Sequence, residues 1–376
     1  MRNANKHILF LVTEFDAPGM RPYARNIINT TWQMGDRVLV VSRRQNDSQA
    51  FPGISASSIT WIDYPNRKWD KLVFRFRPTA VLNAIDDIIE RHNIDIIYSL
   101  TEELILARHI QRLCRRIPVL YTVHDACFHD SKFSSLGTWL KHRFIIARPQ
   151  RQMLEHTCHQ VTNSRDQQEL IQGRFPNHDV HYAPFPTLVT DVIAQGNCRV
   201  PELSDIDGGY ILFFGNVQLY KGVHMLYDVY LSHPELRRIP LVIAGSGDIY
   251  FKRSAEEQNV IFINRFIDDN EVADLFNRAA VVVYPYISAT QSGVTSIASY
   301  FGKPMVLSDL PFFRQTCDGY DGIQFFPTGD TNALTQAIVH SLQAGASTRP
   351  LYDNCYTTEA LRTTLATILN DVINRK

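Results

Sequence analysis

Short apolar runs alternate with segments of helical periodicity along the first half of the chain. "HILFLVT", "RVLVVS", "IDIIYSL" and "PVLYTV" are nearly continuous in aliphatic and β-branched residues, the pattern of strands buried on both faces. Between them lie stretches such as "TAVLNAIDDIIERHN", whose apolar positions recur every three or four residues and so line one side of a helix. Such alternation predicts a parallel sheet covered by helices. A second series follows "SDIDGG": "YILFFG", "PLVIAGSG", "VIFINRF", "AVVVYP" and "PMVLSD", again with helices between. The pattern predicts an α/β chain of two Rossmann-like domains, over residues 1–190 and 210–352. The boundary falls in Pro184 to Gly209, where Pro, Gly, Asn and Asp interrupt both periodicities, and 191–209 is read as the linker. Residues 353–376, ending in the amphipathic "TEALRTTLATILNDVINRK" with no strand after it, are read as a C-terminal helix packing back toward the N-terminal domain.

In open α/β sheets ligands sit beyond the carboxyl ends of the strands, so two such domains facing one another are expected to hold a site in the cleft. Composition narrows what the site binds. The 376 residues are 45% hydrophobic, and Lys+Arg 38 against Asp+Glu 38 gives a net charge of +0, which gives no global attraction to nucleic acid. Any anion site must be local. Six scattered cysteines show no Cys-x-x-Cys spacing, as in a reduced, cytoplasmic protein. The N-terminal apolar run of about six residues is too short for a signal core or a membrane span.

Candidate chemistry gathers at the predicted strand tips. After "YILFF" comes "GNVQLYKG", with Gly215 at the tip and Lys221 near the next helix; Gly lets a ligand approach the backbone and Lys adds charge, a phosphate site in outline. A plain turn with a surface Lys gives the same pattern. "IAGSGD", with Gly245 and Gly247, is either a second ligand loop or a tight strand-to-helix turn. "ATQSGVTSIASYFGKP" opens a helix without any acid, base or metal ligand. Gly19, after the first strand, belongs to no G-x-G-x-x-G fingerprint, which argues against a nicotinamide enzyme. His124 and Asp125 follow a strand, and with His129 and Asp130 they are contiguous loop residues rather than a helical metal pair.

Taken together, "FFGNVQLYKG", "IAGSGD", "FINRFIDDNEV", "YPYISATQSGV" and "FGKPMVLSD", in that order and spacing, resemble the GT-B glycosyltransferases of the large retaining family 4. The resemblance implies two domains facing across a cleft, a UDP- or GDP-linked sugar held mainly by the second, an acceptor held by the first, retained anomeric configuration and no required metal or other cofactor. It implies that Lys221 contacts the donor diphosphate between Gly215 and Gly222, that His124 lies near the transferred sugar, and that Gly19 and Met20 form the acceptor-side loop. Two departures stand out. Asn216 occupies the position after the loop glycine where the family usually has Arg, and the usual glutamate pair is absent, with Gln291 near the first position and Ile297 near the second. The donor loop is therefore expected to bind through the amides of Ser292, Gly293 and Val294 at a helix start, with Thr290 beside them and Gln291 bonding sugar hydroxyls. Arg265, next to Phe266 after a predicted strand, is expected to replace the missing Arg as a fork on two phosphate oxygens; a solvent-facing loop Arg is the alternative.

On the acceptor side, "NRKWDKLVFRFRP" interleaves Arg67, Lys68, Lys71, Arg75 and Arg77 with Trp69, Phe74 and Phe76. That mixture suits an anionic membrane surface, and equally a solvated edge with a few core aromatics. If it touches membrane, the acceptor is a glycan or lipid-linked glycan of surface polysaccharide assembly and the protein is peripheral at the inner face. The competing readings are a non-catalytic GT-B scaffold that binds sugar nucleotides, and a GT-B epimerase or phosphorylase, which fits the architecture but not the motif series.

Overall fold

The computed structural model describes residues 6–16, 20–43, 50–101, 103–126, 143–255, 257–289 and 292–375. The chain divides into two compact units, Met1–Pro186 with Thr358–Lys376, and Thr187–Thr357. Each is built on one parallel sheet.

In the first unit, β1 (His7–Val12), β2 (Arg37–Ser42), β3 (Ile59–Asp63), β4 (Ile94–Ser99), β5 (Val119–Val123), β6 (His159–Thr162) and β7 (Asp179–Tyr182) lie in the order β3-β2-β1-β4-β5-β6-β7. Phe10 pairs with Val38 on one side and Tyr98 on the other. Because side chains alternate along a strand, Ile8, Phe10 and Val12 pack on one face and Leu9 and Leu11 on the other. Continuous apolar runs thus serve two helical layers at once. The first face is closed by Tyr23, Ile27 and Ile28 of helix Met20–Thr31 and by Leu361, Leu365 and Leu369 of the terminal helix Thr358–Asn374. Arg362 fixes that helix further by donating its Nε–H to the Thr30 carbonyl at 3.1 Å.

The second unit places β8 (Tyr210–Phe214), β9 (Leu241–Ala244), β10 (Val260–Ile263), β11 (Ala279–Tyr284), β12 (Met305–Ser308) and β13 (Ile323–Phe326) in the order β10-β9-β8-β11-β12-β13. In both sheets the strand order reverses beside the first strand, at β1/β4 and at β8/β11. Loops leaving the carboxyl ends there diverge and leave room for a ligand.

Two boundaries differ from the sequence expectation. Residues 191–209 are a packed part of the second unit rather than a linker: they form helix Asp191–Gln195 and a turn at Pro201–Leu203. Ile193, Val200 and Leu203 are buried in that unit's core, and Arg278 donates to the Leu203 and Ile206 carbonyls at 2.9 and 2.7 Å. Interrupted periodicity marked a change of element, while three apolar anchors held the segment down. Likewise helix Arg349–Cys355 belongs to the second unit and only Thr358 onward to the first. Leu365 is fully buried against the first sheet, so Leu365→Ala is expected to cost about 2–5 kcal/mol. Urea unfolding followed by near-UV dichroism checks this, and an unchanged midpoint would show that the helix contributes nothing to the first core.

Candidate functional site

At the β8/β11 edge of the second unit the loops are drawn together by their backbones. The chain leaves β8 at Gly215, crosses to a turn at Leu219–Lys221, and enters helix Val223–Ser232 through Gly222, whose φ of 65° is left-handed. A Cβ on Gly222 would collide with the Pro285 carbonyl oxygen, and one on Gly245, at φ 145°, with the Gly215 carbonyl oxygen. Only glycine tolerates both the dihedral and the approach. Hydrogen bonds complete the seam: the Ile287 amide donates to the Tyr220 carbonyl at 2.7 Å, the Val217 amide to the Ser246 carbonyl at 2.9 Å, and Ser246 Oγ to Asn216 Oδ1 at 3.1 Å. Gly247 packs against Val217. Asn216 therefore ties two loops together.

This seam positions Lys221. Its half-buried ammonium donates to the Tyr286 hydroxyl at 2.7 Å and lies 4.4 Å from that ring's centroid and 5.5 Å from that of Tyr220. Burial alone would depress the ammonium's pKa, but the phenolic groups of Tyr286 and Tyr220 and the hydrogen bond to Tyr286 outweigh it and hold the pKa above its ordinary value. The charge is thus kept through the neutral range beside the Gly215 backbone. The seven-residue helix Val294–Tyr300 starts at Gly293, after β11. Its side chains from Val294 to Ser299 are buried, and the hydroxyl of Ser296 donates to the Gly293 carbonyl at 2.6 Å. Among the described residues none accepts a hydrogen bond from the Ser292, Gly293 or Val294 amides. Thr290 and Gln291 lie outside the described residues.

The expected phosphate role of Arg265 is corrected by its partners. Nε and Nη2 donate to the two carboxylate oxygens of Glu202 at 2.7 and 2.9 Å, Nη1 and Nη2 to those of Glu271 at 2.7 and 2.8 Å, and Nη1 also to the Phe266 carbonyl at 3.2 Å. All five donors are committed. The hydrogen bonds to Glu202 and then Glu271 raise the guanidinium's pKa further and lower both carboxylates. Arg265 is a clasp between the Pro201–Leu203 turn and helix Asp269–Arg278. Its neighbour Phe266 is 71% exposed, a free aromatic face at the same sheet edge.

In the first unit, His124 follows β5 and is 6% exposed. Its Nε2 lies 2.9 Å from the Leu100 carbonyl, which can only accept, so Nε2 carries the proton. The Tyr23 ring stands edge-on at 4.9 Å. Burial lowers the imidazole pKa against the opposing pull of the Leu100 carbonyl and Asp125, so the ring is neutral at pH 7. Met20 is half-buried at the start of helix Met20–Thr31, whereas Gly19, His129 and Asp130 lie outside the described residues. Among the described residues no three His, Cys, Asp or Glu side chains gather to hold a metal ion.

Three features escaped the sequence reading. Tyr286 was signalled only by its place in "YPY" after a strand. Glu202 lies sixty-three positions from Arg265 and Glu271 only six, but no local pattern marks either as its partner. Glu103, fully buried with φ 52°, accepts from Thr101 Oγ1 at 2.7 Å, while Thr101 Oγ1 accepts from the Thr13 and Glu14 amides at 3.1 and 3.3 Å, so it ties the β4 loop to the β1 loop. Burial pushes its carboxyl pKa up to about 7, against the hydrogen bonds from Thr13 and Thr101. An acidic pair, Glu103 among them, directly after a strand was the available signal.

Residues 18–186 match the glycosyl transferase 4-like domain family and residues 208–344 match the glycosyl transferases group 1 family. Together these span well over half of the chain. No curated protein matches the sequence. Among solved structures, the chain is similar to sucrose-phosphate synthase from Thermosynechococcus elongatus (17% identity, TM-score 0.69, 99% of this chain and 100% of that one). It is also similar to Anabaena HepE in complex with UDP-glucose (15%, 0.67, 97% and 99%) and to WaaG, a glycosyltransferase involved in lipopolysaccharide biosynthesis (15%, 0.65, 96% and 99%).

Arg265→Ala should leave Glu202 and Glu271 facing each other and lower the melting temperature by roughly 3–8 °C, with nucleotide affinity unmoved. A tenfold loss of affinity at unchanged melting temperature would restore the phosphate role. Glu103 gives a signed pH dependence. The folded state holds its proton more tightly than the unfolded chain, so the stabilisation is complete below about pH 4.5 and is lost as pH rises through about 7, on the order of 3 kcal/mol in all. Glu103→Gln should flatten that slope, read as urea midpoints at pH 5 and pH 8; equal slopes in both proteins would contradict it.

Proposed function

We propose, from the premise that this chain belongs to the group 1 glycosyltransferases with the GT-B fold, that it moves a sugar from a UDP- or GDP-linked donor to a hydroxyl of a glycan or lipid-linked glycan, with retained anomeric configuration. The observation that carries the donor half is the Lys221 ammonium, held charged by Tyr286 beside the glycine seam at the point where the second sheet reverses. Breaking the bond between anomeric carbon and phosphate puts negative charge on the departing nucleoside diphosphate, and stabilising that charge is the main catalytic lever. Lys221 supplies the full charge and the Ser292, Gly293 and Val294 amides supply partial ones. Phe266 offers a face on which a nucleobase can stack. The acceptor hydroxyl attacks from the leaving-group side and gives its proton to a phosphate oxygen, so no side chain has to act as nucleophile. His124, neutral and fixed by the Leu100 carbonyl, orients the sugar. That HepE was crystallised with UDP-glucose supports a nucleotide-sugar donor here.

In this reading the reaction needs no divalent metal, since cation and amides occupy its role. No helix among the described residues is long and apolar enough to cross a membrane, so contact with lipid-linked acceptors would be peripheral, and we place the protein at the cytoplasmic face, in surface polysaccharide assembly. A thermal-shift screen with UDP, GDP and their common sugars in EDTA tests the donor: the matching nucleotide should raise the melting temperature, and Lys221→Met should weaken it about 10- to 1000-fold. Wild-type affinity in Lys221→Met, or binding and donor hydrolysis restored only by magnesium or manganese, would overturn the assignment.

A further inference from the structure

The helix Lys68–Phe76 buries none of its residues completely. Trp69, Leu72, Val73 and Phe76 are 78%, 38%, 59% and 39% exposed. Their spacing of i, i+3, i+4 and i+7 puts them on one face, so the helix carries a complete apolar stripe turned to water. The core takes a different residue, Phe74, which meets Tyr64 edge-on at 5.7 Å. Cations frame the stripe. Arg67 and Lys68 stand at its start, Lys71 beside it, and Arg77 at its end, while Arg108 lies over the Phe76 ring at 4.2 Å. Arg75 acts electrostatically on Glu14. Only Asp70 opposes them on the helix. Among the described residues Arg67, Lys68, Lys71 and Arg77 form no salt bridge, and the first two sit at a helix N-terminus, where the helix dipole repels positive charge. In a chain of net charge +0, this concentration is local.

We propose that Lys68–Phe76 is an interfacial helix that seats the first unit on an anionic lipid bilayer. Nine residues span about 13 Å, too short to cross the hydrocarbon core, so the helix lies in the plane of the interface with Trp69, Leu72, Val73 and Phe76 among the acyl chains and the cations among the headgroups. Charge selects this occupant. A second copy of the chain would bring the same cationic frame against itself, and a neutral apolar groove would leave the frame unanswered, whereas an anionic surface satisfies stripe and frame together. The proposal deepens the acceptor side of the function above and rests on it only for the acceptor brought within reach.

Flotation with phosphatidylcholine vesicles, with and without 30% phosphatidylglycerol, tests it at about 0.1 M salt, where exposed charges still act over about 10 Å. The protein should float with the anionic vesicles alone, and less at higher salt. Trp69→Ser with Val73→Ser should weaken binding at least about tenfold, and Lys68→Glu with Lys71→Glu by at least about 25-fold, at about fivefold per cation removed. The nucleotide thermal shift should stay as in wild type in both variants, which shows that they fold and separates this proposal from the donor assignment. Flotation that ignores phosphatidylglycerol, variants that float like wild type, or a wild-type dimer that either variant dissociates would each overturn it.

Discussion

Close backbone approach at the carboxyl edge of the second sheet is the constraint on which the proposed donor site depends. Gly245 sits on the Gly215 carbonyl and Gly222 on the Pro285 carbonyl, so three loops leaving β8, β9 and β11 converge without intervening side chains. A side chain at either glycine would spread the loops and displace Tyr286, which follows Pro285 directly. Lys221 would then lose the hydroxyl that fixes its ammonium, because that hydroxyl arrives from the β11 loop and the lysine from the β8 loop. The glycines act on charge through geometry.

The distribution of cations at that edge follows from what each can reach. Arg265 has the longer fork and emerges near the same edge, yet two carboxylates saturate it, and a guanidinium released from Glu202 and Glu271 would leave both acids without a counterion. Lys221 faces phenols instead. Phenols offer hydrogen-bonding oxygen without a formal negative charge at pH 7, so they hold the ammonium in place and leave its charge uncompensated and open to an anion. The chain therefore separates a cation saturated by carboxylates from one left open to an anion by the partners it supplies to each.

The sequence made the architecture legible because apolar continuity and helical spacing are local signals. The β8–β12 runs were all visible, as were Lys221, the glycines and the helix opening at Gly293, whereas the four-residue β13, Ile323–Phe326, was not. What stayed hidden depends on contacts between residues far apart in the chain. The clasp of Arg265 joins Glu202, sixty-three positions away, to Glu271, and no local pattern distinguishes a clasped arginine from one aimed at phosphate. The packing of 191–209 was hidden likewise, since its few apolar anchors are set among turn-forming residues. His124 was placed correctly after a strand, but its neutral state follows only from burial and the Leu100 carbonyl.

In the proposed reading, the helix that begins at Val294 explains why a sequence without acids or bases would suit an anion-binding edge. "VTSIASY" is built from small and β-branched residues, poor formers of an isolated helix, and it holds because every side chain from Val294 to Ser299 is buried. Its hydroxyls are spent internally or on neighbours: Ser299 Oγ donates to the Thr295 carbonyl at 2.7 Å, and Thr295 Oγ1 meets the Tyr356 hydroxyl at 2.8 Å. Ser296 Oγ also accepts from the Leu188 amide at 3.0 Å. With its side chains committed inward, the first turn presents backbone N–H groups whose direction is set by the packing of the helix body. A carboxylate at this opening would compete with an anionic ligand for those donors. Polar but uncharged residues leave the edge positive, and the rigidity of the buried helix keeps that partial charge aimed in one direction.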